Sequence, residues 1–336
     1  MPMKVALTGS TGHVGTALAT LLCQRGHSVQ ALIHRHSAGL EDLPVRKVSA
    51  SVTDLESLRR AFAGAEVVFH AAARISITRR DTAEVNRTNV EGTRNVIEAC
   101  RLAGVRRLVH FSSIEAFSPR PLDSTLDEDR ALEDGSTGSP YAESKARAEI
   151  EVRKAIAQGM DAVIVNPTAV VGPFDTRPSL MGRAVVAFGT GAIPMLIDGG
   201  YDWVDVRDVA EGALLAAERA PRGGRYLLGG RWASMAEMAR LVCRAAGRRP
   251  PSLTCPLVLA RLGAPLSTAF SALLGKEPLF TGYSLGALRG NRSISHARAE
   301  KDLGYRPRDL EVTIRDTWRW FVQQGVAPAG VAVPAT

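Results

Sequence analysis

The chain has 336 residues, 45% hydrophobic and 23% charged, a globular composition that excludes a disordered or fibrous protein. The formal net charge is +8. The basic residues nevertheless fall in ones and twos (Arg79–Arg80, Arg106–Arg107, Arg248–Arg249), with no basic run and no aromatic series beside them, so no nucleic-acid partner is expected.

In chain order, residues 4–8 read as a strand that follows MPM directly, without the apolar core of a signal peptide. Residues 11–25 carry Val14, Ala17, Leu18, Leu21 and Leu22 on one helical face, closed by Gly26. Residues 29–33 read as a strand. Asp54 can cap a helix over 55–62. Residues 67–71 read as a strand, 85–103 as a long helix ended by Gly104, 107–112 as a strand, 141–157 as a helix and 162–166 as a strand. Repeated strand–helix–strand units predict an α/β fold: a doubly wound parallel sheet, with ligands at the carboxyl ends of its strands. After Pro167 the pattern becomes irregular and richer in Gly and Pro, which marks a smaller lobe. Residues 203–228 again look strand–helix–strand, as if the chain returns to the sheet. The expected organisation is a dinucleotide-binding domain over 1–167 plus about 203–228. A substrate lobe would cover about 168–202 and 229–324, with a flexible tail over 325–336. Residues 257–274 hold a single charge, Arg261, and are interrupted by Pro265. They are expected as a buried or lid helix pair rather than a membrane span, with peripheral membrane contact as the alternative. Cys23, Cys100, Cys243 and Cys255 are widely spaced and form no CxxC pair. No metal is expected, and a reducing, cytoplasmic compartment fits.

The first strand runs into TGSTGHVG: Thr8, Gly9, Ser10, Thr11, Gly12, His13, Val14 and Gly15. Glycines at this spacing, between a strand and a helix, allow a tight turn, a close backbone approach to a pyrophosphate and close packing of the helix. The helix N-terminus offers free N–H groups to the phosphates. An acidic residue after the second strand would bind a ribose 2′-hydroxyl. Here the chain reads His34-Arg35, and arginine suits a 2′-phosphate, so NADP is expected, with NAD as the alternative.

In SPYAESKARAE, Tyr141 and Lys145 are four residues apart and share one helix face. An ammonium beside a phenol favours the phenolate, so the Tyr141 pKa is expected to fall and the group to serve as a general acid or base. Ser112 and Ser113 end the preceding strand, where a hydroxyl can hold a substrate oxygen.

These motifs, with HAAA (70–73), NVEGTRNV (89–96), FSSIEAF (111–117), NPTAVVGP (166–173) and WVDVRDVA (203–210), resemble the extended short-chain dehydrogenase/reductases from Met1 to about Gln324. The resemblance implies a Rossmann domain with a smaller C-terminal substrate lobe. It also implies a Ser–Tyr–Lys set at Ser113, Tyr141 and Lys145. Cofactor contacts would come from Ala71, Ala72 and Ala73, from Ser112, and from Pro167, Thr168, Ala169 and Val170, with Asn89 supporting the site. Family members often carry an adenine-contacting Asp after the third strand; Ser51 and Val52 stand there instead. The family also implies a homodimer through the helices at 85–103 and 141–157.

Within the family, dehydratases carry Thr-Asp-Glu where this chain has Ser113, Ile114 and Glu115, so elimination is not expected. Nucleotide-sugar epimerases carry an Arg where Tyr201 precedes Asp202, although Arg289 or Arg292 could replace it. SSIEAFSP resembles 3β-hydroxysteroid dehydrogenases, and the overall pattern, including KEPLFT (276–281), resembles dihydroflavonol reductase-like enzymes. Residues 256–288, with Phe270, Phe280 and Tyr283, suit an apolar ligand. The expected function is an NADP(H)-dependent reductase or dehydrogenase acting on a bulky, hydrophobic carbonyl/alcohol substrate. The alternatives are a nucleotide-sugar 4-epimerase and a non-catalytic NADP(H)-binding redox sensor.

Overall fold

The computed structural model describes residues 2–34, 36–76, 81–255, 288 and 290–328. Arg35, Arg289, the 257–274 segment, KEPLFT, Phe270, Phe280 and Tyr283 lie outside the described residues. The strands are β1 (Lys4–Thr8), β2 (Ser28–Ile33), β3 (Arg46–Ser49), β4 (Val67–His70), β5 (Arg107–Phe111), β6 (Ala162–Pro167), β7 (Ala169–Val171), β8 (Met195–Ile197), β9 (Gly200–Asp205), β10 (Arg225–Leu228), β11 (Arg231–Ser234) and β12 (Leu253–Cys255). The helices are α1 (His13–Gln24), α2 (Leu55–Phe62), α3 (Thr82–Asn86), α4 (Gly92–Leu102), α5 (Pro140–Ala157), α6 (Leu180–Thr190), α7 (Val206–Arg219), α8 (Met235–Ala245), α9 (Ala297–Leu303) and α10 (Leu310–Gln323).

Seven strands form one sheet in the order β10-β6-β5-β4-β1-β2-β3, every pair parallel. Parallel strands need crossovers, so the sheet is covered on both faces and its central strands are buried throughout, as in β4 and β6. Alternate residues feed opposite cores. Val5 and Leu7 join Leu18, Leu22 and Leu214 on the α1/α7 side. Ala6 joins Leu58, Phe62, Val96 and Val152 on the α2/α4/α5 side. Chain order reverses between β1 and β4, which opens a crevice at the carboxyl ends of these strands.

The structure departs from the expected elements in four places. β3 (RKVS) is a mostly exposed edge strand, so it carries no apolar alternation to announce it. The long helix expected over 85–103 starts at Thr82 and is broken by a π-helical stretch, Arg87–Glu91. Of residues 203–228, only β10 joins the main sheet. β9 pairs with β7 and β11 in a separate three-stranded sheet, where the Trp203 indole N–H donates to the Ala233 carbonyl at 3.1 Å. The tail does not fray at 325: Gly325, at φ +66°, closes α10, and Ala327 is buried against a second core. That core joins Val171, Phe188, Trp203, Met238, Ile314, Trp318 and Phe321 from β7, α6, β9, α8 and α10.

Candidate active site

The loop after β1 is shaped by three glycines with different duties. Gly9 has φ +69°, and a Cβ there would stand 2.5 Å from the Ala72 nitrogen. A Cβ on Gly15 would stand 2.0 Å from the Gly9 carbonyl oxygen, so α1 packs directly on the turn. At Gly12 a Cβ would meet only the Gly9 oxygen, at 3.3 Å. Gly12 is also the N-cap of α1 and supplies no side-chain acceptor, so protein side chains leave the helix N–H groups to other partners. The His13 ring N–H donates to the Pro173 carbonyl at 2.9 Å, joining α1 to the turn beyond β7, where Phe174 has φ 72°.

Two side chains of this loop face inward. Ser10, fully buried, donates to the Leu32 carbonyl at 2.7 Å. Thr8 accepts from the Ala72 N–H at 3.2 Å and meets His70 Nδ1 at 2.8 Å. His70 Nε2 lies 3.0 Å from the Thr93 hydroxyl, whose proton goes to the Asn89 carbonyl at 2.6 Å. Thr93 must therefore accept from His70, which makes Nε2 the protonated nitrogen and Nδ1 the acceptor of the Thr8 proton. Burial, and secondarily the Lys145 charge, hold His70 neutral with a pKa of about 3.

Asn89 sits in the π-helical stretch, a local widening often found at functional sites. It clamps the chain beyond β4: the Arg74 N–H donates to its Oδ1 at 2.8 Å, and its amide donates to the Arg74 carbonyl at 3.0 Å. The same amide donates to Ser144 Oγ at 2.8 Å, and Ser144 donates to the Tyr141 carbonyl at 2.7 Å. Asn89 thus ties the β4 exit, where Ala71, Ala72 and Ala73 lie, to the start of α5.

α5 begins where its sequence says it should. Ser139 caps it by accepting from the Ala142 N–H at 3.1 Å, and Pro140 takes the first helical position. Tyr141 and Lys145 then lie in the first turns, facing the end of β5. The Ser113 hydroxyl accepts from the Glu115 N–H at 3.1 Å and is a hydrogen-bonding partner of the Tyr141 phenol. Ser112 turns the other way and donates to the buried Glu149 at 2.8 Å. Lys145, 4% exposed, donates to the Phe111 carbonyl at 2.5 Å.

The electrostatics correct one expectation. Burial pushes the Tyr141 phenol up to about 12; the Ser113 hydrogen bond opposes this and the Glu115 charge adds to it. The Lys145 ammonium donates to the Phe111 carbonyl, and its charge also lowers His70 and His110. Burial brings Lys145 itself down to about 8, opposed by Glu149. Burial, then the neighbouring Glu133, raise Glu115 to about 7.

The remaining expected residues lie at the same edge of the sheet. His34 is exposed at the end of β2. Ser51 is spent on the α2 entry turn, with its hydroxyl 2.9 Å from that of Thr53. Val52 packs against Gly92. Pro167 ends β6; Thr168 is buried, and Ala169 and Val170 are half-buried in β7. Residues of the site to which the motifs assigned no role are Glu149, Asn166 and Arg225. The signal for Glu149 was its place four residues after Lys145 on the same face. Among the described residues no His, Cys, Asp and Glu group is arranged to hold a metal ion, and no helix is long and apolar enough to cross a membrane.

Residues 5–229 match the NAD dependent epimerase/dehydratase family. The chain is 34% identical to sterol demethylase protein B of Methylococcus capsulatus over 96% of this chain and 100% of that protein. It is 28% identical to a 3-beta-hydroxysteroid dehydrogenase of Mycolicibacterium neoaurum over 98% and 96% of the two chains. Among solved structures, that of gox2253 is similar with a TM-score of 0.84 and 32% identity, covering 96% of this chain and 99% of the other. The chain belongs to the NAD dependent epimerase/dehydratase family, the extended short-chain dehydrogenase/reductases.

Proposed function

We propose that this protein is an NADP(H)-dependent oxidoreductase that interconverts a bulky, mostly apolar ketone and its alcohol. The observation that carries the reading is the pairing of the Ser113 hydroxyl with the Tyr141 phenol at the carboxyl end of β5, at the sheet edge that also holds the glycine loop. The loop fits a dinucleotide. Gly12 presents an open cradle at an uncapped helix N-terminus, which suits a pyrophosphate. Arg35, read from the sequence, would favour the 2′-phosphate of NADP. A bound nicotinamide would supply the hydride.

The protein's own groups would do the rest. Ser113 accepts from the Glu115 N–H and would turn its proton from Tyr141 to a bound substrate oxygen. Tyr141 would donate its proton to that oxygen as negative charge develops there. A phenol held near 12 stays protonated at neutral pH and is still far more acidic than an alcohol, so proton donation to a forming alkoxide runs downhill. Lys145, close to its own titration point, would hold positive charge behind the site. Tyr201, half-buried edge-on to Trp203 with ring centroids 5.4 Å apart, offers an aromatic wall where epimerases carry an arginine. This favours an apolar substrate, and the names of the sterol and hydroxysteroid relatives point the same way.

The test is a parallel screen of 3-oxosteroids with NADPH and of UDP-sugars with NAD, followed by nicotinamide fluorescence and product analysis. Net NADPH consumption with a steroid ketone supports the reading. Isomerisation of a UDP-sugar without net cofactor change would replace it with epimerisation.

A further inference from the structure

Glu149 lies one turn beyond Lys145 on α5 and is 0% exposed. A buried carboxylate is tolerated only when it is paired and hydrogen-bonded. Two arginines supply the pairing. Arg225, at the start of edge strand β10, places Nε 2.8 Å from Glu149 Oε1, and Arg153 places Nη2 at 2.9 Å from the same oxygen. Arg225 is itself fixed: it donates to the Glu128 carbonyl at 2.8 Å, and its guanidinium lies 3.8 Å over the Phe117 ring.

The other carboxylate oxygen points at the candidate active site. Oε2 accepts from the Ser112 hydroxyl at 2.8 Å and from the Asn166 amide at 3.0 Å. The same Asn166 amide donates to the Ser113 carbonyl at 3.0 Å. One carboxylate therefore holds the Ser112–Ser113 strand end by two routes, through a side chain and through a neighbouring main chain.

We propose that Glu149, paired with Arg225, is a positioning residue for the Ser113–Tyr141–Lys145 set, fixing the Ser113 main chain and placing a carboxylate one helical turn from the Lys145 ammonium. The inference rests on the functional reading above. The groups that face Lys145 are Glu149 on α5, His70 on β4 and His110 on β5, and both histidines are held neutral mainly by burial. Glu149 is thus the acidic side chain that supports the ammonium against its own desolvation. Arg153 and Arg225 face Glu149 from α5 and β10, with Glu128 and Arg298 beyond Arg225.

The test separates charge from position. Glu149→Gln alone leaves Arg225 buried without its partner and is prone to unfold. The double variant Glu149→Gln/Arg225→Met removes both charges together, a change that buried pairs commonly tolerate. Glu149→Asp keeps the charge but withdraws the carboxylate from Ser112 and Asn166. With 13C-labelled lysine, NMR titration of the apoprotein reads Lys145 directly, assigned through Lys145→Met. The wild-type lysine should titrate near 8, that of the double variant lower, and that of Glu149→Asp near the wild-type value. Turnover of a 3-oxosteroid with NADPH should fall about tenfold or more in both variants, on kcat rather than KM. A Lys145 titration unchanged in the double variant, or an undiminished kcat in Glu149→Asp, overturns the proposal. Tyr141→Phe is measured alongside. Its loss of turnover upholds the functional reading even where Glu149 fails, and retained turnover overturns both.

Discussion

The three glycines of the β1–α1 loop should separate into structural and ligand-binding positions when each is changed to alanine. For Gly15→Ala the new methyl would lie 2.0 Å from the Gly9 oxygen and 2.8 Å from Gly9 C and Ser10 Cα. All three are backbone atoms and cannot rotate away, so the expected loss is about 1–3 kcal/mol or more, the scale of core overpacking. Gly9→Ala adds a left-handed φ of +69° to a contact of 2.5 Å with the Ala72 nitrogen. The backbone term alone is worth about 1–2 kcal/mol. Gly12→Ala differs. Its φ is −82° and its single close contact is 3.3 Å, so the apoprotein should lose under about 1 kcal/mol, chiefly from the weaker N-cap. The methyl would instead occupy the place proposed for the pyrophosphate. Losing one hydrogen bond to a charged oxygen costs about 1.5–3 kcal/mol, which is about ten- to 100-fold in NADPH affinity. Thermal melts of the apoproteins and NADPH fluorescence titrations read the two effects separately. The reasoning is refuted if Gly12→Ala melts as low as Gly15→Ala, or binds NADPH as wild type does.

Arg35→Ala should weaken NADPH binding while leaving NADH nearly untouched, because a guanidinium pairs with the 2′-phosphate alone; equal dissociation constants for the two cofactors in wild type would contradict it. Glu115, raised to about 7 against about 4.3 for a free side chain, stabilises the fold below the unfolded value and loses that contribution as pH rises through 7. Glu115→Gln does not titrate, so its melting temperature relative to wild type should climb between pH 5 and pH 8, and a flat difference would show that the carboxyl is not perturbed.

Much of the nucleotide-binding half was legible because local signals there agree with tertiary demands. Asp54 before an amphipathic run, Ser139-Pro140 before Tyr141 and Gly26 after α1 each mark a helix end by backbone chemistry that does not depend on the rest of the fold. β3 was hidden because an edge strand with one half-buried residue in four has no apolar face to bury. β9 read correctly as a strand, but its sheet was not readable, because pairing with β7 and β11 depends on how Trp203 packs into the second core.

At the site, the spacing placed Ser113, Tyr141 and Lys145 on adjoining elements, but hydroxyl direction was not encoded. Ser112 and Ser113 are neighbours on a strand end, so they face opposite ways, and only the structure shows that Ser112 faces Glu149. The side chains of Thr8 and Ser10, within the glycine loop, satisfy buried partners, a direction that position in the motif does not encode. The phenol pKa was misjudged for a similar reason. Sequence spacing put the ammonium on the same helix face as the ring, whereas burial of the phenol dominates and raises it.

The most direct measurement is transfer of the label from NADPH deuterated at the reactive C4 position to a 3-oxosteroid, followed by mass spectrometry in wild type and Tyr141→Phe. One deuterium should appear on the carbinol carbon of the wild-type product. Tyr141→Phe, which keeps the ring, should fold and bind NADPH as before, with turnover reduced about 100-fold or more. Absence of label transfer to any steroid ketone while a UDP-sugar is epimerised, or near-wild-type turnover in Tyr141→Phe, would contradict the proposed chemistry.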